Sequence, residues 1–205
     1  MTIRAHKGDL PDLSNYQVEA VAIDTETLGL KPHRDRLCVV QLSPGDGTAD
    51  VVQIANGQSS APNIEKLLAD PGIEKIFHFG RFDIAVLEHA FGVRANPVFC
   101  TKIASRLTRT YTDRHGLKDL CAELLDVQLS KQQQSSDWAA ETLSQAQLEY
   151  AASDVLHLHR LREAITARLL REGRMDMARQ CFDFLPMRAR LDLAGWEETD
   201  IFAHS

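Results

Sequence analysis

The sequence predicts an α/β fold with a mixed central sheet that is flanked by helices. Strand-like apolar runs are concentrated before residue 80, and helical patterns dominate from residue 101 onward. Strands first, then alternation, then helices is the order expected for such a fold. The 205 residues suffice for one sizeable domain and are too few for two ordinary domains with a linker, so we expect 1–205 to form a single domain.

Dense runs of apolar and β-branched residues predict the strands of this sheet. They predict strands at 18–24, 37–43, 50–54 and 73–79. Gly, Pro and Asp in 44–47 mark a tight turn between the second and third of them. Two short connections in a row are typical of antiparallel neighbours, so the first three strands are predicted to form a meander.

The helical patterns come later and end in a tail with large apolar residues. They predict helices at 63–69, 81–91, 101–109, 116–126, 143–171 and 174–184. The polar stretch 131–136 is short, and we expect it to be a structured loop. Because Trp196, Ile201 and Phe202 follow the last helix, we expect the tail (about 186–205) to pack on the body or on a neighbouring subunit.

Composition and charge narrow the classes of function. A hydrophobic content of 44% and a charged content of 25% are ordinary for a globular protein. The net charge of −6 disfavours a broad grip on long nucleic acid, which needs many cationic contacts to phosphates. The N-terminus has no apolar signal segment, and the four cysteines lie far apart, so we expect buried thiols, a cytoplasmic protein and no membrane association.

A pair of carboxylates at the end of the first predicted strand is the first functional signal. Asp24 and Glu26 are two residues apart, which places both on one face of an extended chain. At about 4 Å and an effective dielectric near 20, such a pair repels by roughly 4 kcal/mol. Such repulsion indicates a held proton or a bound cation. The alternative is a polar turn in which Thr25 and Thr27 are turn residues.

Two more acidic positions have informative surroundings. Asp83 falls in the first turn of a predicted helix, where a carboxylate also suits the helix dipole. Tyr150 and Asp154 are one turn apart on one face of the long helix. Ala151 and Ala152 keep the surface between them low, so a substrate or another backbone can approach. An Asp inside a helix is intrinsically unfavourable, which indicates a role beyond helix formation.

The ordered set Asp24-x-Glu26, Asp83 and Tyr150-x-x-x-Asp154 resembles the three exonuclease motifs of the DEDD superfamily, Tyr subclass. That superfamily includes proofreading exonuclease domains and ribonuclease D. The resemblance covers most of the chain, because further segments are also similar to ribonuclease D: Gly116–Leu120, Leu129–Lys131, Ser136–Trp138 and Leu143–Ser144. It implies a ribonuclease H-like fold.

The size of the chain and its ending, from Gly195 to Ser205, are similar to those of the nano-RNase C group. This resemblance implies a homo-oligomer, an octameric ring, that degrades very short RNAs, notably dinucleotides. Two positions depart from relatives. Phe79 stands where proofreading enzymes commonly have Asn, and Glu141 stands near a place where ribonuclease D often has Arg.

The resemblance also implies a metal site and its ligands. Two divalent cations, Mg²⁺ or Mn²⁺, would be held by four acids, since carboxylates suit hard cations. Asp24, Glu26 and Asp154 would hold one ion, with Asp24 bridging to a second ion at Asp83. Tyr150 would orient the attacking water.

Substrate contacts are predicted at six further residues. Leu30 lies where related enzymes place an apolar wedge between bases, and a core Leu is the equally weighted alternative. The other five form a basic face with an aromatic neighbour, which would contact phosphates and bases: Lys102, Arg106, Arg109, Tyr111 and Arg114. The alternative is that this face is only solvated, as basic helix faces often are.

The leading hypothesis is a 3′→5′ exoribonuclease that acts on short RNA, and two alternatives remain. One keeps the chemistry but trims structured RNA or DNA 3′ ends. The other is an inert exonuclease fold used as an interaction module. Such modules usually lose one or more acids, whereas this chain keeps all four.

Overall fold

The structure is a computed structural model that describes residues 2–130, 132–133 and 135–204. In this part of the chain, six strands form one sheet, and seven α-helices surround it. The strands are β1 (Thr2–Lys7), β2 (Ala20–Thr27), β3 (Leu37–Ser43), β4 (Thr48–Gln53), β5 (Glu74–Phe77) and β6 (Val98–Cys100). The helices are α1 (Pro62–Ala69), α2 (Gly80–Phe91), α3 (Thr101–Thr108), α4 (Leu117–Leu125), α5 (Gln145–Leu156), α6 (Leu158–Arg171) and α7 (Met175–Leu191).

The sheet is mixed and has the order β1-β4-β3-β2-β5-β6. β2 and β3 are antiparallel, as are β3 and β4, which confirms the predicted meander. The other neighbours, β1/β4, β2/β5 and β5/β6, pair in parallel. The predicted fold class, a mixed central sheet flanked by helices, is therefore confirmed.

Two strands have no counterpart in the sequence prediction. β1 is an edge strand whose residues are all at least partly exposed, so it lacks the apolar alternation that identifies a strand. β6 has three residues, too few for a periodicity to be visible. β2 is longer than predicted and runs through Glu26 to Thr27, which places the carboxylate pair inside the strand.

Two of the predicted helices differ from the structure by more than one residue in their bounds. The predicted helix 143–171 is divided at His157 into α5 and α6. α7 continues past residue 184 to Leu191, although Pro186 lies inside it. We attribute this continuation to packing, because Leu185 and Ala189 are buried and their burial offsets the missing hydrogen bond at proline.

Two apolar layers hold the helices on the sheet. The larger cluster joins strands β2–β6 to most of the helices. A smaller cluster packs α5 and the segment before it onto β3 and β4, and its buried members are Cys38, Val39, Val51, Trp138, Leu143 and Ala151. α5 is thus fixed over one face of the sheet, beside the end of β2.

The C-terminal tail contacts the body of the same chain. A π-helical turn, Asp192–Trp196, follows α7. Arg81 on α2 pairs with Asp192 at 2.6 Å, and Lys31 Nζ lies 2.5 Å from Glu197 Oε1. Residues 131 and 134 of the predicted loop 131–136 lie outside the described residues. No helix among the described residues is both long and apolar enough to cross a membrane.

Candidate active site

Strand β2 presents its two carboxylates toward α5. Because side chains alternate along a strand, Asp24 and Glu26 lie on one face and Thr25 on the other. One carboxylate oxygen from each of Asp24, Glu26 and Asp154 lies within 4.8 Å of the other two. The sequence places Asp154 about 130 residues away, so the fold itself assembles this acidic cluster.

The start of α5 determines where Tyr150 and Asp154 lie. A capping box, in which Ser144 and Gln147 exchange side-chain and backbone hydrogen bonds, fixes the first turn. Tyr150 follows and lies against Trp138, with ring centroids 6.0 Å apart. Both Tyr150 and Asp154 then line the cavity that contains the acids of β2.

Asp83 lies next to β2 and is not among the described residues that line the cavity. It lies in the first turn of α2, as predicted, and is 4% exposed. Its Oδ1 accepts a hydrogen bond of 2.7 Å from the hydroxyl of Thr25. Thr25 therefore orients the fourth acid, a role that the sequence analysis missed. The signal was its position between Asp24 and Glu26, which directs it to the other face.

Burial and mutual repulsion favour the protonated acids when no cation is present. Burial first, then repulsion from Asp154 and Asp83, raises the pKa of Glu26 to about 8. Burial raises the pKa of Asp83 and of Asp154 to about 7. Burial and the neighbouring acids raise the pKa of Asp24 well above its usual range. Because their surroundings disfavour the ionised form of all four carboxylates, a multivalent cation would stabilise the site.

The donor set fits a hard divalent cation. The close cluster offers carboxylate oxygens, the ligands that Mg²⁺ and Mn²⁺ prefer. Burial raises the pKa of Tyr150 above its usual value, so its hydroxyl stays protonated at working pH. The residues present therefore combine cation ligands with a neutral hydrogen-bonding group.

A cavity of about 720 Å³ opens from the acids, within the range of about 300–1,000 Å³ typical of small-molecule sites. Leu30 lines it and is 81% exposed, so the alternative of a core Leu is wrong. Lys102 lines it too, as do several residues that were not predicted as contacts: His78, Phe79, Lys118 and Trp138.

Phe79 has an unusual backbone for its residue type. Its φ of 67° is left-handed, a conformation that costs a non-glycine residue about 1–3 kcal/mol. The ring is 44% exposed, and Lys102 Nζ lies 4.1 Å from its centroid. The ring and the cation thus form a joint surface on the cavity wall.

The predicted basic face needs a correction at Arg109. α3 ends at Thr108, so Arg109 leaves the helix and turns inward, where it is 1% exposed. Its Nε donates to Glu123 at 3.2 Å, and its Nη1 donates to Ser105 at 3.1 Å. This guanidinium is occupied by internal partners and does not face the cavity.

The remaining predicted contacts also lie off the cavity. The Tyr111 hydroxyl donates to Glu123, and Arg106 and Arg114 are exposed. None of these three is among the described residues that line the cavity. The fold therefore brings Asp24, Glu26, Asp154, Tyr150, Leu30 and Lys102 to one cavity and separates them from the rest of the predicted face. Asp83 is buried close to these acids, behind Thr25.

Comparison with known proteins gives the family. Residues 10–170 match a family described as 3′-5′ exonuclease. Ribonuclease D of Acidiphilium cryptum is 38% identical over 156 residues, which are 76% of this chain and 39% of that protein. The chain thus spans about two-fifths of the length of the curated relatives it matches.

Solved structures agree in fold over a longer range. Brucella melitensis NrnC with bound Mg²⁺ has a TM-score of 0.97 and 72% identity, and NrnC bound to pGG has 0.98 and 73%; each match covers 100% of both chains. Escherichia coli RNase D has a TM-score of 0.76 and 25% identity, over 86% of this chain and 46% of that one. The ribonuclease H-like fold is thereby confirmed, and this chain belongs to the ribonuclease D-like 3′-5′ exonucleases of the DEDD superfamily, together with NrnC.

Proposed function

We propose that this chain is a 3′→5′ exoribonuclease that hydrolyses short oligoribonucleotides, dinucleotides above all, to nucleoside 5′-monophosphates. The observation that carries the proposal is the acidic cluster at one end of a cavity with an exposed apolar side chain, Leu30. The binding of pGG to NrnC, which is 73% identical, supports a dinucleotide substrate.

Divalent cations are the cofactors, and we propose two of them. Asp24, Glu26 and Asp154 would hold one ion, and Asp24 and Asp83 the other. NrnC with bound Mg²⁺ supports the choice of cation. Two such ions supply charge stabilisation for the attacking and leaving oxygens of a phosphodiester.

Tyr150 orients the attacking water in this proposal. Because its pKa is raised by burial, the phenol keeps its proton and acts through a hydrogen bond. Its contact with Trp138 fixes the ring on the cavity wall. The protein's own contribution at this position is therefore orientation rather than proton abstraction by a phenolate.

Leu30 and Lys102 are the proposed substrate contacts. An exposed leucine at a cavity mouth can lie between two bases and exclude water from their faces. Lys102, which contacts the Phe79 ring, supplies a positive charge for a phosphate. A substrate of two nucleotides makes both contacts, and a longer one adds nucleotides beyond them.

The length preference tests the proposal directly. We expect 5′-phosphorylated RNAs of two, three, five and seven nucleotides to be hydrolysed with the highest kcat/KM for the dimer. The Leu30→Ala variant should raise KM for pGG about tenfold, because an apolar contact of roughly 1.5 kcal/mol is lost. Leu170→Ala, at an exposed leucine of α6, is the matched control and should change nothing.

Trimming of structured RNA is a second candidate, favoured by the ribonuclease D relatives. A hairpin with a single-stranded 3′ extension distinguishes the two functions in the same assay. If the hairpin is trimmed faster than the dimer is hydrolysed, the dinucleotide proposal is wrong.

We also propose that 1–205 is one exonuclease domain that associates with copies of itself, in an octamer. Apolar side chains exposed on α7 and the tail support self-association: Phe184, Met187, Trp196, Ile201 and Phe202. Light scattering should give the mass of an oligomer, and a monomeric mass would contradict this part of the proposal.

A further inference from the structure

Gln41 is a buried polar residue in the middle of β3. It is 0% exposed, and neither its Oε1 nor its Nε2 has a hydrogen-bond partner among the described residues. Glu88 also has an unpaired buried oxygen, but its Oε1 pairs with Arg190. A buried amide with both polar atoms unpaired destabilises a fold, so Gln41 invites a functional explanation.

The register of the sheet places Gln41 next to the acidic cluster. Gln41 lies directly opposite Asp24 on β2 and opposite Val51 on β4. Antiparallel partners carry their side chains on the same face, with Cβ atoms about 5 Å apart. Val51 packs with Ala151 of α5 in the smaller apolar cluster. The amide therefore lies between the sheet and α5, beside Asp24.

Among the described residues, Asp24 differs from Asp83 in its hydrogen bonding. Asp83 accepts a hydrogen bond from Thr25, whereas no group in the described part of the chain donates to the carboxylate of Asp24. Carboxylates that hold cations keep free lone pairs, and outside donors that bind these lone pairs fix the ligand's orientation. The unpaired amide and the carboxylate without a donor are cross-strand neighbours.

We propose that Gln41 positions the carboxylate of Asp24 for cation binding, with Nε2 donating a hydrogen bond to it in the metal-loaded protein. This inference rests on the proposed metal site. Gln41 is buried and does not line the cavity, so it acts through Asp24 and touches no substrate. It is a positioning residue.

The test compares Gln41→Met with a matched strand glutamine. Methionine keeps the length of the side chain and removes its donor and acceptor. We expect the Kd for Mn²⁺, measured by calorimetry on the full chain, to rise about tenfold or more. The melting temperature of the metal-free protein should stay level or rise, because the unpaired amide is gone.

Gln53→Met is the control. Gln53 lies on β4, and its Nε2 donates to the carbonyl of Ala140 at 3.1 Å. Its loss should lower the melting temperature and leave the Mn²⁺ affinity unchanged. An unchanged Mn²⁺ affinity in Gln41→Met would overturn the inference. If that variant does not fold, Gln41→Leu is measured by the same two quantities.

The outcome also separates this inference from the proposed function. A wild-type chain that binds no Mn²⁺ overturns both. A wild-type chain that binds Mn²⁺ with Gln41-dependent affinity, yet releases no nucleotide from RNA, overturns the proposed function alone.

Discussion

Replacing Asp24 with asparagine should abolish Mn²⁺-dependent nucleotide release while the protein stays folded. Asp24 lies within 4.8 Å of both Glu26 and Asp154 through their ligand oxygens, and it is the acid proposed to contact both cations. Its loss removes several kcal/mol of transition-state charge stabilisation, so we expect kcat/KM for pGG to fall about a thousandfold or more.

The stability of the same variant carries independent information. Asparagine has nearly the same shape as aspartate but no charge, so it relieves repulsion among the acids. We therefore expect an unchanged or higher melting temperature in the metal-free state. Asp183→Asn, at an exposed position of α7, is the control for both readouts and should match the wild type. Full activity in Asp24→Asn would contradict the two-metal assignment.

The metal-free protein should lose stability as the pH rises from about 5 to 9. The folded-state pKa is about 8 for Glu26 and about 7 for Asp83 and Asp154, against ordinary values near 4 in an unfolded chain. Between these values the native state binds more protons than the unfolded state, so the free energy of unfolding falls with rising pH. Most exposed, paired acids behave in the opposite way.

Divalent cations should reverse this loss, most strongly at alkaline pH, because they bind the deprotonated acids. Denaturation at pH about 5.5 and about 8.5, each in EDTA and in Mg²⁺, measures the effect. We expect the gain in melting temperature on adding Mg²⁺ to be larger at the higher pH. Asp24→Asn should show a smaller gain. If the free energy of unfolding of the metal-free protein instead rises across this pH range, the pKa values of these acids are not raised in the folded state.

The fold could be predicted where local patterns agree with the tertiary structure. The runs that became β2, β3 and β4 are dense in β-branched residues and are buried. β1 could not be predicted, because it is stabilised by pairing with β4 and has no apolar pattern of its own. The break at His157 has no Pro or Gly to mark it, so the sequence suggested one continuous helix.

The candidate site shows the same division between local and tertiary information. The sequence alone predicts that Asp24 and Glu26 share one face of β2 and that Tyr150 and Asp154 share one face of α5. Strand and helix periods determine which residues share a face. The burial of Arg109 could not be predicted, because it depends on α3 ending at Thr108, one residue before the predicted end, and on an ion pair with Glu123. Gln41 left a signal, a lone amide in an otherwise apolar run, whose meaning needed the register with Asp24.

We propose that four acids, two from β2 and one from each of two helices, hold a pair of divalent cations. Anomalous diffraction at the manganese edge can locate both ions, from crystals soaked at pH about 8.5 in Mn²⁺ and an analogue of pGG whose bridging phosphate resists hydrolysis. We expect two peaks about 4 Å apart between Asp24, Glu26, Asp83 and Asp154. A single peak, or peaks that do not contact Asp24, would contradict it.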